Sequence, residues 1–192
     1  MNDSFETLEH IGGVDASYRD RHAYGSCVVL NRAMDVLEVA TSMTKVTFPY
    51  IPTFFSYHEF PVVKEAVQKV KTRIDLLFVD GNGLIHPRLG FASHLGIAVD
   101  LPTIGVAKNL LCGNLPRKPK EVGETQPVRL NDEVVGYAAK TYKTANPIYI
   151  SPGHRISLDS ARRITFDFCE YKLPEPIRNA HKESKRLRSH SM

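Results

Sequence analysis

Leu76-Leu77-Phe78-Val79-Asp80-Gly81-Asn82-Gly83 is a short apolar run that ends in a carboxylate and a glycine-rich turn. A continuous apolar run of this length predicts a strand covered on both faces, as in the middle of a parallel or mixed sheet. Functional groups of open α/β sheets lie at the carboxyl ends of such strands, so Asp80 is a candidate metal or phosphate-site residue. The local alternative is an ordinary turn, because Asp, Gly and Asn are common turn residues.

The segments before this strand predict an antiparallel meander. Residues 12–18, 24–31 and 36–46 are enriched in strand-forming residues and are joined by short polar links. Pro61 then suits the first position of a helix, and Ser56 with Glu59 matches a capping box in front of it.

The segments after the strand predict a second helix over about 89–99 and a short buried strand over 102–107. Two strand–helix–strand steps in succession predict parallel strands with right-handed crossovers. A hairpin around Asn131-Asp132, a strand over 148–150 and two helices follow, the first capped by Ser157 and the second after 174–176. Three antiparallel strands followed by parallel strands predict an α/β fold with a ribonuclease H-like mixed sheet flanked by helices.

Composition is that of an ordinary globular protein, and we expect one domain over residues 1–192. The chain is 42% hydrophobic and 24% charged, and it contains no apolar run near the ~20 residues that cross a bilayer. We therefore expect no membrane partner and a cytoplasmic location, or a nuclear one in a eukaryote. Three widely spaced cysteines predict reduced thiols rather than a metal site.

The formal charge is +4, and basic residues are crowded together from about residue 182. Such an end indicates either a polyanionic partner or a solvated, partly disordered tail, and both interpretations stay open.

The ribonuclease H-like pattern places Asp15 and Asp80 on the first and fourth strands. Two neighbouring carboxylates supply the hard oxygen ligands that Mg²⁺ prefers. Glu59 is a third candidate ligand, with the capping box as its alternative.

Two further residues are candidates for this site, with a structural histidine and a solvated lysine as their alternatives. Lys108 follows a strand at the same predicted sheet edge, where an ammonium group could hold a phosphate. His154 lies in the predicted loop 151–155, where it could also reach a strand-end site.

Motifs of several other enzyme classes are lacking in this sequence. His58-Glu59 is not followed by the second histidine of a metalloprotease helix, and there is no Gly-x-Ser-x-Gly elbow or P-loop. Residues 81–83 also lack the third glycine of a dinucleotide-binding fingerprint.

The sequence resembles the endonuclease V family, the deoxyinosine 3′ endonucleases, along nearly its whole length. The resemblance is carried in the same order by Gly13-Val14-Asp15, Pro49-Tyr50-Ile51-Pro52, Glu59, Val79-Asp80-Gly81-Asn82-Gly83, residues 90–101, Gly105-Val106-Ala107-Lys108, Tyr149-Ile150-Ser151-Pro152-Gly153-His154-Arg155 and Leu173-Pro174-Glu175-Pro176. It departs from many bacterial members by its short N-terminal segment, so duplex contacts made by a longer extension are in doubt.

This resemblance implies the roles of the site residues. Asp15, Glu59 and Asp80 would form an acidic centre for Mg²⁺, with Mn²⁺ as substitute, and Lys108 and His154 would complete the catalytic set.

The resemblance also implies how the base is recognised. Pro49, Tyr50, Ile51 and Pro52 would form a wedge at the altered base, with Tyr50 as a stacking surface. Backbone groups around Gly81, Gly83 and Phe55 would read the flipped base, and glycine would be needed because a side chain would fill the space of the base.

The implied reaction is hydrolysis of the second phosphodiester bond 3′ to a deaminated purine, chiefly inosine. It leaves 3′-hydroxyl and 5′-phosphate ends and serves DNA repair. The alternatives are an inosine-specific ribonuclease and a module that binds inosine without cutting. We expect a monomer whose partner is inosine-containing DNA or RNA, and the number of metal ions, one or two, stays open.

Overall fold

The computed structural model describes residues 3, 5, 7–46 and 55–190, and these form one mixed sheet packed against helices. The elements in chain order are β1 (Ile11–Arg19), β2 (His22–Leu30), β3 (Val36–Lys45), α1 (Phe55–Lys69), β4 (Leu76–Asp80), α2 (Phe91–Val99), β5 (Thr103–Ala107), β6 (Thr125–Leu130), β7 (Glu133–Ala139), β8 (Ile148–His154), α3 (Leu158–Asp167) and α4 (Glu175–His190). The strand order across the sheet is β3-β2-β1-β4-β5-β8-β7-β6.

The order and directions of the strands confirm the predicted ribonuclease H-like mixed sheet. Strand β1 pairs with β2 in antiparallel fashion and with β4 in parallel, and β4 pairs with β5 in parallel. Val14 is the partner of Val79, so the next residues, Asp15 and Asp80, lie side by side where β4 ends. The apolar run of the opening stretch is therefore a central strand with neighbours on both sides.

Each face of the sheet is covered by a pair of helices, because successive residues of a buried strand point to opposite faces. Leu77 and Val79 pack with α1 and α2, whereas Leu76 and Phe78 pack with α3 and α4. Asp80 is two residues beyond Phe78, so it points to the same face as Leu76 and Phe78, the face covered by α4. No helix within the described ranges is long and apolar enough to cross a membrane.

Helix α4 lies close along β1, and Gly13 permits that approach. A Cβ atom on Gly13 would lie 2.1 Å from the carbonyl carbon of Pro176, which no real side chain tolerates. Further along the same strand the Ser17 hydroxyl donates to the carbonyl of Ser184 at 2.9 Å. The two contacts show that α4 runs beside β1 in the same direction.

Two element boundaries differ from the sequence expectations. Helix α1 begins at Phe55 rather than at Pro61, so Ser56 is already helical and the capping box is wrong. Helix α4 continues to His190 through the basic residues from about 182, for which a disordered tail was one expectation. Packing explains this continuation, because Ala180 and Ser184 of α4 are buried against the sheet.

Candidate metal centre

The carboxylates of Asp15 and Asp80 lie side by side on the face covered by α4, at the carboxyl end of β4 and in the middle of the adjacent parallel strand β1. The Asp15 side chain is buried, and its Oδ2 accepts a hydrogen bond of 2.6 Å from the Ser184 hydroxyl. The Nδ1 atom of His181 lies 3.1 Å from the same oxygen. Helix α4 therefore holds one carboxylate of the pair in a fixed orientation.

Lys108 reaches the centre from the neighbouring strand β5. Its Nζ atom lies 2.6 Å from Asp80 Oδ2, and the ammonium group stays partly open to solvent. Burial alone would lower the pKa of Lys108, but the Asp80 carboxylate outweighs it and raises that pKa above its ordinary value. Lys108 therefore stays positively charged, beside the place where a phosphate could bind.

Glu59 adds a third carboxylate from the first turns of α1. Its side chain is 6% exposed, and burial raises its pKa well above the ordinary value, with further contributions from the charges of Asp15 and Asp80. A hydrogen bond with Tyr18 lowers this pKa by a smaller amount. The pKa of Asp15 is also raised, first by burial and then by Asp80, although Ser184 opposes the shift. The three groups therefore interact electrostatically across a shared space.

This donor set fits a divalent cation. Within the described part of the chain, no three Asp, Glu, His or Cys side chains are gathered tightly enough to hold an ion as they stand. Yet burial and the charges of neighbouring carboxylates raise the pKa values of Asp15 and Glu59, which marks a site where a cation would be stabilised. Carboxylate oxygens are also the hard ligands that Mg²⁺ and Mn²⁺ accept. Asp15, Glu59 and Asp80 are therefore the residues that would hold the ion.

The turn after β4 is packed into the protein by its own backbone. The Gly83 N–H donates to Ser151 Oγ at 2.9 Å, and the Gly81 N–H donates to the carbonyl of Val106 at 3.0 Å. Both backbone N–H groups therefore already donate to atoms of the protein. If this turn recognises a base, other atoms of the turn must form the hydrogen bonds to it. Asn82 Oδ1 is buried and has no hydrogen-bond partner among the described residues.

The structure gives Gly83 a different reason to be glycine from the one expected. A Cβ atom there would lie 2.0 Å from the carbonyl oxygen of Pro152, within the protein itself. At Gly81 the nearest atom to a Cβ would be Phe91 Cδ1 at 3.2 Å. Gly83 is therefore required by packing against β8, whether or not a base binds nearby.

The predicted wedge, Pro49 to Pro52 with Tyr50, lies outside the described residues. Phe55 is described only as the first helical residue of α1, and nothing in the structure bears on its role at the base. The wedge and the part of Phe55 in the base pocket stay predictions from sequence.

His154 lies away from the carboxylates, contrary to expectation. Residues 151–154 do not form a loop but extend β8, which runs antiparallel to β5 and pairs His154 with Thr103 at the start of that strand. Its Nε2 atom lies 3.8 Å from Asp100 Oδ1. Because Asp80 and Lys108 lie at the opposite end of these strands, about 13 Å away at 3.3 Å per residue, His154 does not join the set.

His181 is the residue near the centre that sequence reasoning missed. It lies 166 positions from Asp15 in the chain. It directly precedes the basic residues that predicted a polyanion-binding end or a solvated tail. The available signal was its spacing from Ser184, because residues three apart on a helix share one side. That spacing, with the docking of α4 on β1, brings both side chains to Asp15.

Comparisons with known proteins agree along nearly the whole chain. The Endonuclease V family model matches residues 1–182. The endonuclease V of Dictyoglomus turgidum is 40% identical over 190 residues, which are 97% of this chain and 83% of that protein. The crystal structure of endonuclease V from Streptomyces avermitilis superposes with a TM-score of 0.89 at 34% identity. The superposition covers 96% of this chain and 83% of the Streptomyces chain.

A structure with bound nucleic acid is also similar. Endonuclease V of Ciona intestinalis, in complex with a 24mer DNA that contains an inosine followed by a ribo-adenosine, superposes with a TM-score of 0.84 at 27% identity, over 97% of this chain and 88% of its own. The match of the family model and the identity to curated relatives together show that the chain belongs to the endonuclease V family and is a nuclease of that type.

Proposed function

We propose that this nuclease is metal-dependent, binds inosine in nucleic acid and hydrolyses the second phosphodiester bond 3′ to it, in the service of DNA repair. The observation that carries the proposal is the meeting of Asp15, Asp80 and Glu59 at one sheet edge, with Lys108 beside Asp80. The family membership and the inosine-containing DNA in the Ciona complex support the choice of substrate.

The residues have separable tasks in this reaction. A bound Mg²⁺ would activate water and offset charge that develops on the phosphate. Asp15, Glu59 and Asp80 would hold that ion, and Ser184 and His181 fix the orientation of Asp15. The cationic Lys108 holds a non-bridging phosphate oxygen. Water adds to phosphorus and the bond from phosphorus to O3′ breaks, so that 3′-hydroxyl and 5′-phosphate ends remain.

Cleavage of labelled oligonucleotides tests the proposal. Inosine is placed once in single-stranded DNA, duplex DNA and RNA of the same sequence, with guanosine in the control strands. We expect one Mg²⁺-dependent cut at the second bond 3′ to inosine and intact controls. The same cut with or without inosine would contradict the base specificity, and tight inosine binding without any cut would indicate a binding module.

The RNA strand is included because of a specific observation. In the Ciona complex the inosine is followed by a ribo-adenosine. A ribonucleotide 2′-hydroxyl can be recognised at a single position, so a nuclease that prefers RNA would cut that strand fastest. This outcome would assign the protein to inosine-containing RNA instead of DNA repair.

Replacing Lys108 with Ala is expected to lower the cleavage rate about 10²-fold or more, with a smaller loss of binding. The reason is that a charged donor aimed at the reacting phosphate contributes most in the transition state. Single-turnover rates and the dissociation constant, measured on the same inosine strand, separate the two effects. If the variant cuts at the normal rate, Lys108 does not hold the phosphate.

The two histidines are expected to differ. His181→Ala removes a group 3.1 Å from Asp15 and should slow cleavage at least tenfold. His154→Ala, at the far end of the strands, should leave the rate close to normal. Rates with saturating inosine DNA decide between them, and a larger loss for His154 would reverse the assignment.

A further inference from the structure

We propose that Arg19, Lys45, Lys185 and Arg188 form one basic strip that binds the sugar–phosphate backbone of the substrate strand beside the metal centre. The inference rests on the proposed function, which places nucleic acid at that centre, and extends it to a surface of the protein that has no role so far.

The sheet contributes the first half of this basic strip. Asp15, Ser17 and Arg19 alternate onto the face of β1 that α4 covers. Arg19 pairs with His22 in β2, and His22 pairs with Lys45 in β3. Residues directly opposite each other share a face, so Arg19 and Lys45 point the same way, about 10 Å apart across two strand spacings.

Helix α4 contributes the second half. Lys185 and Arg188 lie four and seven residues beyond His181, on the same side of the helix, and extend about 10 Å past it along the axis. Because Ser184 is bonded to Ser17, the last turn of α4 passes the level of Arg19. The strip thus starts within one or two helical turns of Asp15 and leads outward from the carboxyl edge.

The charges of the strip are available to a ligand. In the described part of the chain, no carboxylate pairs with Lys45, Lys185 or Arg188, while Arg19 makes an exposed pair of 3.2 Å with Asp20. An exposed pair of this kind contributes little to stability and is readily exchanged. Four cations against one carboxylate give a strongly positive surface.

A nucleic acid strand is the ligand that fits this surface. A strand whose scissile phosphate lies at the metal centre continues with further phosphates on either side, and the strip is the basic surface that adjoins the centre along β1 and α4. Contacts to phosphate oxygens position the strand but do not read its sequence. The strip should therefore strengthen binding equally with and without inosine.

The salt dependence of binding tests this inference. The strip variant is Lys185→Gln with Arg188→Gln, and its matched control is Arg32→Gln with Lys71→Gln. These two basic residues lie near the opposite ends of strands β1, β2 and β3, since Arg32 follows β2 and Lys71 contacts Glu38 near the start of β3. Each protein is titrated with labelled single-stranded DNA at several salt concentrations. EDTA is present to remove divalent metal ions and so prevent cleavage. Melting temperatures establish that both variants are folded.

The association constant K falls as salt rises, so the slope of log K against log salt is negative. The strip variant is expected to make this slope shallower by about 1.4, since each phosphate contact to a single strand contributes about 0.7. Strands with inosine and with guanosine should lose affinity by the same factor, and the control should keep the wild-type slope. An unchanged slope, or an equal loss in the control, would overturn the inference. The slope is measured without cleavage, so it decides the role of the strip even if inosine-directed cutting is not found.

Discussion

Replacing Asp80 with Asn is expected to reduce cleavage by ~10³-fold or more while inosine DNA still binds. The substitution keeps the shape of the side chain but removes a carboxylate from the metal-holding set and the partner of Lys108, which lies 2.6 Å away. Loss of metal activation costs several kcal/mol of transition-state stabilisation, and each 1.36 kcal/mol is a factor of ten in rate.

The measurement pairs single-turnover cleavage with binding of the same labelled strand in EDTA. Asp100→Asn is the matched control, because Asp100 pairs with Arg155 at the other end of the strands. The control should cut at the wild-type rate. A wild-type rate in the Asp80 variant, or a parallel loss of binding and cleavage, would show that Asp80 has no distinct part in the reaction.

Replacing Gly83 with Ala is expected to lower the free energy of unfolding by about 3 kcal/mol. A Cβ atom there would lie 2.0 Å from the carbonyl oxygen of Pro152, and a rigid backbone cannot move aside as a side chain would. In a protein of this size the melting temperature should fall by roughly 6–12 °C.

Gly81→Ala supplies the comparison for Gly83. Its Cβ atom would meet only the Phe91 side chain, at 3.2 Å, so we expect a loss of about 1 kcal/mol or less. Thermal unfolding of both variants measures the difference. Equal melting temperatures would mean that the turn can shift to make room for a Cβ atom. Packing against β8 would then not explain the glycine at position 83, and the predicted base pocket would be the explanation that is left.

The sheet and its two aspartates could be predicted because the signals are local. An apolar run that ends in Asp80, and a second strand that carries Asp15, predict adjacent strand ends once the strand order is known. Glu59 could be proposed as a metal ligand only beside a competing interpretation, a capping box with Ser56. The start of α1 at Phe55 removes the capping box, because Ser56 is already inside the helix, and the ligand role of Glu59 stays a prediction.

The two histidines could not be predicted in the same way. Pro152 and Gly153 indicate a loop, yet β8 continues through them with a register shift opposite Thr103 and Ile104. Because β8 runs antiparallel to β5, this continuation places His154 beside the start of β5, away from the carboxylates. The contact of His181 with Asp15 depends on how α4 docks on β1, and no local pattern encodes a contact across 166 positions.

A titration of Mg²⁺ in the cleavage of an inosine-containing strand tests the central claim most directly. The claim is that Asp15, Glu59 and Asp80 together hold a cation on which cleavage depends. The wild-type protein should leave the strand intact in EDTA and cut it at the second bond 3′ to inosine as Mg²⁺ is added, whereas Asp80→Asn should stay inactive across the range. Cleavage in EDTA at the full rate, or the same Mg²⁺ response in both proteins, would contradict the account.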